Sequence, residues 1–121
     1  MHGVPADLPL QAFVGDALTQ ICIGEHQLQF HFQGAGSISV EGGWELADSS
    51  GQILDRWLEH KERGAYRVHL LLGHAVSHFS ISPPQSFTLR FTSGHDLTVF
   101  DDSERYESFS VKPKGVAGVY I

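Results

Sequence analysis

Eight histidines in a chain of 121 residues are the first candidates for chemistry, and His74-x3-His78 has the spacing that sets two imidazoles on one helical face toward zinc. Residues 74–81 instead read as a strand, where positions four apart share a face but stand about 13 Å from one another, too far for one metal. His26 and His31 fall on opposite faces of a second strand, and His31 points outward between Phe30 and Phe32. Asp101, Asp102, Glu104 and Glu107 supply the hard oxygens that calcium prefers, yet they lack the spacing and central glycine of an EF-hand loop, so a solvated turn is expected. Glu41 and Glu107 each sit near the entry to a closing strand, where a symmetric fold would bring two carboxylates to one seam for acid–base work. No serine lies in a Gly-x-Ser-x-Gly elbow, and no glycine-rich loop precedes a Lys-Ser or Lys-Thr pair. These residues predict no catalytic centre, no metal site and no cofactor.

Charge is more informative. The net charge is −6, and residues 1–55 hold seven acids with no Lys or Arg, whereas residues 56–121 hold seven acids and eight bases. An acidic first half repels phosphate backbones, which disfavours nucleic acid, and steers basic partners instead. Glu41, Glu45, Asp48 and Asp55, with Trp57 beside them, form the candidate partner-binding set. The plainer reading is that these acids keep the surface soluble and that both Trp44 and Trp57 pack between elements.

The elements that must carry these residues come from an internal repeat. Displaced by 58, Phe13 to Ile23 falls on Leu71 to Ile81, with Gly15 on Gly73, Ala17 on Ala75 and Ile23 on Ile81. Displaced by 59, Leu28, Phe30, Phe32, Ile38 and Val40 fall on Phe87, Leu89, Phe91, Leu97 and Val99. Each copy starts with a short apolar turn, Leu8–Val14 or Tyr66–Leu72, ended by a glycine suited to a left-handed cap. Strictly alternating strands follow, 27–33 and 87–92, then glycine-bearing turns at 34–36 and 93–95 and returning strands of the same parity. Further strands near Trp44-Glu45-Leu46 and Phe109-Ser110-Val111 close the copies, and 115–121 adds a last edge strand. Between the copies, Ile53, Leu54, Trp57 and Leu58 have the spacing of one helical face, which predicts a helix over 52–63, capped by Ser49 or Ser50 and stopped by Gly64.

The prediction is therefore one domain over residues 1–121, mainly β, with repeats at about 8–48 and 66–111 joined by the 52–63 helix. Two pseudo-symmetric antiparallel units form a compact sandwich or a partly open barrel. Cys22, alone and set between Ile21 and Ile23, acts as a small hydrophobe in a reducing compartment. The first residues lack the basic and apolar regions of a secretory signal, and the longest wholly apolar run, Leu70-Leu71-Leu72, is far too short to span a bilayer. A cytoplasmic protein that does not enter membranes is expected.

The run Leu18-Thr19-Gln20-Ile21-Cys22-Ile23-Gly24, Gln27 to Phe32 and Ile38-Ser39-Val40-Glu41, with the later Leu89-Arg90-Phe91, Gly94, Leu97-Thr98-Val99 and Tyr106-Glu107-Ser108, resembles a family of small bacterial domains of unknown function. The resemblance covers most of the chain and implies structural motifs only, with no catalytic residues. The expected function is a non-enzymatic binding protein, immunity-like in the manner of small acidic bacterial domains, that offers an acidic surface to a basic protein. The alternatives are a ligand or enzymatic site at the seam, and a homo-oligomeric structural module.

Overall fold

Alternation of apolar and polar residues demands an extended chain with one buried face, and the chain is extended wherever that alternation occurs. The computed structural model describes residues 4–25, 27–57, 65–101, 109–114 and 119–120. Its strands are β1 (Leu18–Ile23), β2 (Leu28–Phe32), β3 (Gly36–Val40), β4 (Trp44–Ala47), β5 (Ile53–Arg56), β6 (Val76–Ser82), β7 (Ser86–Phe91), β8 (Asp96–Phe100), β9 (Phe109–Pro113) and β10 (Val119–Tyr120). All pair antiparallel, in the orders β1-β2-β3-β9-β10 and β5-β4-β8-β7-β6. The two sheets are not closed into a barrel and pack as a sandwich.

The two sheets are related by a pseudo-two-fold, visible bond by bond. Ala17 bridges its own counterpart Ala75. Around that point Gly15 N–H donates to Val76 O at 2.7 Å while Gly73 N–H donates to Leu18 O at 2.8 Å, and Leu18 N–H meets His74 O at 3.0 Å while Val76 N–H meets Asp16 O at 3.2 Å. Both first strands carry a bulge at the same place, after Leu18 and after Val76. In each, the bulge hydroxyl donates across the hairpin, Thr19 Oγ1 to His31 O and Ser77 Oγ to Arg90 O, both at 3.1 Å. Gly15 and Gly73 hold φ of 88° and 83° directly after the 3-10 turns Gln11–Phe13 and Val68–Leu71.

The closing strands are exchanged. β4 belongs to the first repeat but pairs with β8 (Leu46 with Leu97, Trp44 with Val99), and β9 belongs to the second but pairs with β3 (Val111 with Ile38, Phe109 with Val40). Each sheet thus contains three strands of one repeat and the fourth of the other. Inward positions form one apolar core that includes Phe13, Phe30, Ile38, Leu46, Phe87, Leu89, Leu97, Val99, Phe109 and Val111. At its centre the counterparts Phe32 and Phe91 stack with centroids 6.5 Å apart, and Phe13 meets Phe32 edge-on at 5.0 Å.

The expected helix is a correction. Ile53–Arg56 is strand β5, paired with β4, and the described residues contain no helix of seven or more residues. The chain turns back before a helix can start: Asp48 N–H donates to Gln52 O at 2.9 Å, and Gly51, at φ 89°, lets the turn close. The adjacent apolar pair Ile53-Leu54, which resembles a helical face, instead spans a bulge opposite Leu46 and Ala47; Leu54 packs against the core and Ile53 stays exposed. Residues 58–63 of that expected helix lie outside the described residues.

Gly36 lies close against the backbone of β9. It has φ 122°, and a Cβ there would lie 2.1 Å from Lys112 O and 2.8 Å from Lys114 N. Gly15, at φ 88°, has open space around it. In urea unfolding, Gly15→Ala is expected to cost about 1–2 kcal/mol from backbone strain alone, whereas Gly36→Ala adds about 1–3 kcal/mol of overpacking against β9. Equal losses at the two positions would show that the β3–β9 approach is not tight.

Candidate functional site at the β5 edge

β5 is the outer strand of its sheet, and the β4–β5 hairpin carries Glu45, Asp48 and Asp55 of the expected partner-binding set. Alternation on β4 turns Trp44 and Leu46 into the core and leaves Glu45 and Ala47 on the other face, where Glu45 lies in register with Arg56 on β5 and Thr98 on β8. Glu41, in the crossing from β3 to β4, is exposed. Trp57 follows β5 directly: its N–H donates to Trp44 O at 2.9 Å, while its side chain is 48% exposed and that of Ile53 43% exposed.

The other two acids do different work. Asp48 Oδ1 accepts from Ser50 N–H at 2.9 Å, Ser50 Oγ at 2.6 Å and Gln52 N–H at 3.0 Å, an Asx-type turn. The Ser50 hydroxyl is the main cause holding the Asp48 carboxyl below its ordinary pKa; the Gln52 and Ser50 amides and the nearby His95 add to the effect, and desolvation opposes it. Asp55 is only 8% exposed, which removes it from the expected acidic surface. It sits opposite the core residue Leu46, and its oxygens accept from Arg56 N–H at 2.9 Å and Arg67 N–H at 2.7 Å. Burial of this carboxylate is explained by those donors: it fastens the edge strand to the start of the second repeat. The partner-binding set therefore divides: Glu41 and Trp57 are exposed, Glu45 and Asp48 are half-buried with Asp48 occupied by its own turn, and Asp55 is buried.

The remaining candidates are scattered. Asp101 is 6% exposed, with its N–H on Gln85 O at 2.9 Å; Asp102, Glu104, Glu107 and His26 lie outside the described residues, so the Glu41–Glu107 seam has no described geometry. His31 is half-buried with Nε2 3.1 Å from Gln29 Oε1, His78 is exposed on β6, and His74 precedes that strand. Among the described residues no three His, Cys, Asp or Glu side chains gather as metal ligands. Ser93 Oγ lies 2.8 Å from His95 Nδ1 in the β7–β8 turn, and a Cβ on neighbouring Gly94 would stand 3.4 Å from Ser49 Cβ. That serine–histidine–aspartate grouping joins two turns, because Asp48 is already taken up by Ser50 and Gln52. Cys22 is free and half-buried on β1.

Two residues escape a pattern-based reading. Ile53 is exposed because the bulge at Leu54 resets the parity of β5, and Asp16, which reads as one surface acid among many, clamps the β2–β3 turn with Oδ2 accepting from Gly34 N–H at 2.8 Å and Ala35 N–H at 2.7 Å. An aspartate three residues after an apolar 3-10 turn was the available signal for the clamp, but its partners lie 18 and 19 residues away.

Asp55→Ala is expected to lose about 1–3 kcal/mol in urea unfolding, because the Arg67 amide is left without its acceptor. For Asp48, a depressed folded-state pKa means stability that is present above the unfolded value and lost as pH falls through the folded one. Melting temperatures followed downward from pH about 5 should fall more steeply for the wild type than for Asp48→Asn, which keeps an acceptor but no titration. Parallel curves would remove the Asp48 turn as a source of acid sensitivity.

Compared with protein-family models, with curated proteins and with solved structures, the chain matches none.

Proposed function

We propose that this protein is a non-enzymatic binding module that offers the β5 edge, with Trp57 at its end as the anchor and Glu41 and Glu45 supplying negative charge, to a basic protein surface. The observation that carries the reading is Trp57 itself: a tryptophan 48% exposed directly after an edge strand, while Ile53, 43% exposed, adds a second uncovered apolar group at the strand's other end. Large aromatic side chains of this kind supply most of the energy at protein interfaces, while neighbouring charges set orientation and association rate. The absence of Lys and Arg from residues 1–55 supports a basic partner through Glu41, while Arg56, across the strand from Glu45, offsets part of the charge there. An immunity-type role, in which a small acidic bacterial domain caps a basic toxin, has this chemistry. The unpaired Cys22 is in keeping with a reducing, cytoplasmic setting. No described helix is long and apolar enough to cross a membrane.

The test is affinity capture from the source cells with three tagged baits: wild type, Trp57→Ala, and Glu41→Gln with Glu45→Gln. The expected result is a Lys- and Arg-rich protein retained in stoichiometric amount by the wild type. Trp57→Ala should weaken it by about 30-fold, as for a loss near 2 kcal/mol at an interface anchor, and the neutralised bait should make retention much less sensitive to salt. A partner held equally by all three baits, or an acidic partner, would overturn the assignment of this edge.

A further inference from the structure

Sheet edges are templates for further pairing, and proteins usually blunt them with charge, proline, bulges or brevity. Of the four edges here, β10 has two residues, β5 has four and bears Asp55 and Arg56, and β1 is flanked by Asp16 and Glu25. Antiparallel self-pairing of β1 would lay Asp16 near Glu25 of a second copy, a like-charge contact that costs stability. β6 is different. Among the described residues it is the longest strand, at seven residues, and it lies in the stretch Val68 to Leu89, which is the longest run of the chain without Asp, Glu, Lys or Arg. Nearby Arg90, in register with His78, is held by Asp96 through paired bonds of 2.8 and 2.9 Å. On a molecule of net charge −6, this is the edge where two copies approach with the least repulsion.

The backbone is open there between two contacts of the N-terminal segment, Val4 N–H on Pro84 O beyond the end of β6 and the bridge of Val14 to Val76 at its start. The outer side of Val76 is already used by Gly15 and Asp16, but among the described residues nothing bonds to the outer side of residues 77–82. Ser82 pairs with Ser86 to close the β6–β7 hairpin, with Gln85 N–H on Ser82 O at 2.9 Å. Counting back in twos, Ser80 and His78 direct their amides toward β7, and Phe79 and Ile81 direct theirs outward. Phe79 and Ile81 are also the core-side residues of this strand, half-buried and packed against the core from its margin.

We propose that β6 is a self-association edge, at which a second copy of this chain adds antiparallel about a two-fold axis through Ser80. In this register Phe79 and Ile81 exchange both amide–carbonyl bonds with Ile81 and Phe79 of the second copy. The same two side chains meet across the axis, an aromatic–aliphatic pair that extends the core of each sandwich into the other. Ser80 faces its own counterpart in a non-hydrogen-bonded pair, with Cα atoms about 4.5 Å apart, and the two five-stranded sheets become one of ten strands. The contact is isologous and closes on itself, so it yields a dimer and not a fibre. It leaves β5, at the opposite edge of the same sheet, uncovered, and it does not rest on the function proposed for that edge.

The experiment is sedimentation equilibrium of four full-length samples: wild type, Ser80→Glu, Ser80→Lys, and an equimolar mixture of the two variants. Ser80 is exposed, so the folds should be intact, which melting curves check. The expected result is a concentration-dependent dimer for the wild type, monomers for each charged variant alone, and a dimer restored in the mixture, where opposite charges face each other at the axis. Under oxidising conditions Ser80→Cys in a Cys22→Ser background should cross-link into a covalent dimer, because the predicted separation suits a disulfide. A monomeric wild type at every concentration, or a dimer that survives both charged variants, would overturn the proposal.

Discussion

The exchange of backbone bonds around Ala17 and Ala75 is the contact on which the rest of the structure depends. Four hydrogen bonds there lock the start of β1 against the start of β6, in two symmetric pairs. Directly behind them Phe32 stacks on Phe91, again each against its own counterpart. Because every element of one repeat has its position set relative to this point, the second repeat lands where its own side chains complete the same core. The bulges after Leu18 and Val76 follow from it: each first strand must serve the cross-repeat bridge and its own hairpin, and one extra residue, with its hydroxyl tied across the strand, resolves the conflict.

Symmetry governs the backbone far more than the surface. Asp16 clamps the first hairpin turn through two amides, whereas its counterpart His74 only approaches Thr92 Oγ1 at 3.4 Å over the second. β5 and β10 take equivalent places beside β4 and β9, yet only β5 has Asp55 to bind it to the opening of the next repeat. The core tolerates little divergence because the two halves must fit each other. Outward positions answer to no such constraint, which is why the chemistry that distinguishes one end of the molecule from the other is found at its edges.

Much of the fold was legible in the sequence for a simple reason: period-two alternation and turn glycines act locally. Leu28, Phe30 and Phe32 against Gln29 and His31 specify one buried face whatever lies beyond it. Displacement by 58 sets Ala17 on Ala75, which the backbone bridges, and displacement by 59 sets Phe32 on Phe91, whose rings stack. The failures share a cause as well. Ile53, Leu54 and Trp57 fit a helix until Asp48 closes its turn through Ser50 and Gln52 and the bulge at Leu54 shifts the parity. Asp55 reads as a surface acid until the Arg67 amide, twelve residues on, comes to rest against it. Composition reports how many acids a chain has; only the fold decides which of them meet solvent.

The exchanged closing strands also govern the order in which the molecule can be built. Val40 must wait for Phe109, and Trp44 for Val99, so neither sheet can be completed from one repeat alone. At a synthesis rate of about 5–20 residues per second, β3 is made roughly 3–14 s before the strand that will cover its edge. During that interval the nascent first repeat exposes an apolar sheet face together with an unpaired β3, and long-range strand pairing of this kind is slow to form in any case. Gly36, positioned for the close passage of β9, is a provision for a partner that does not yet exist when it is made. The dependence of each half on the other thus leaves the unfinished chain with an uncovered edge that the finished sandwich does not have.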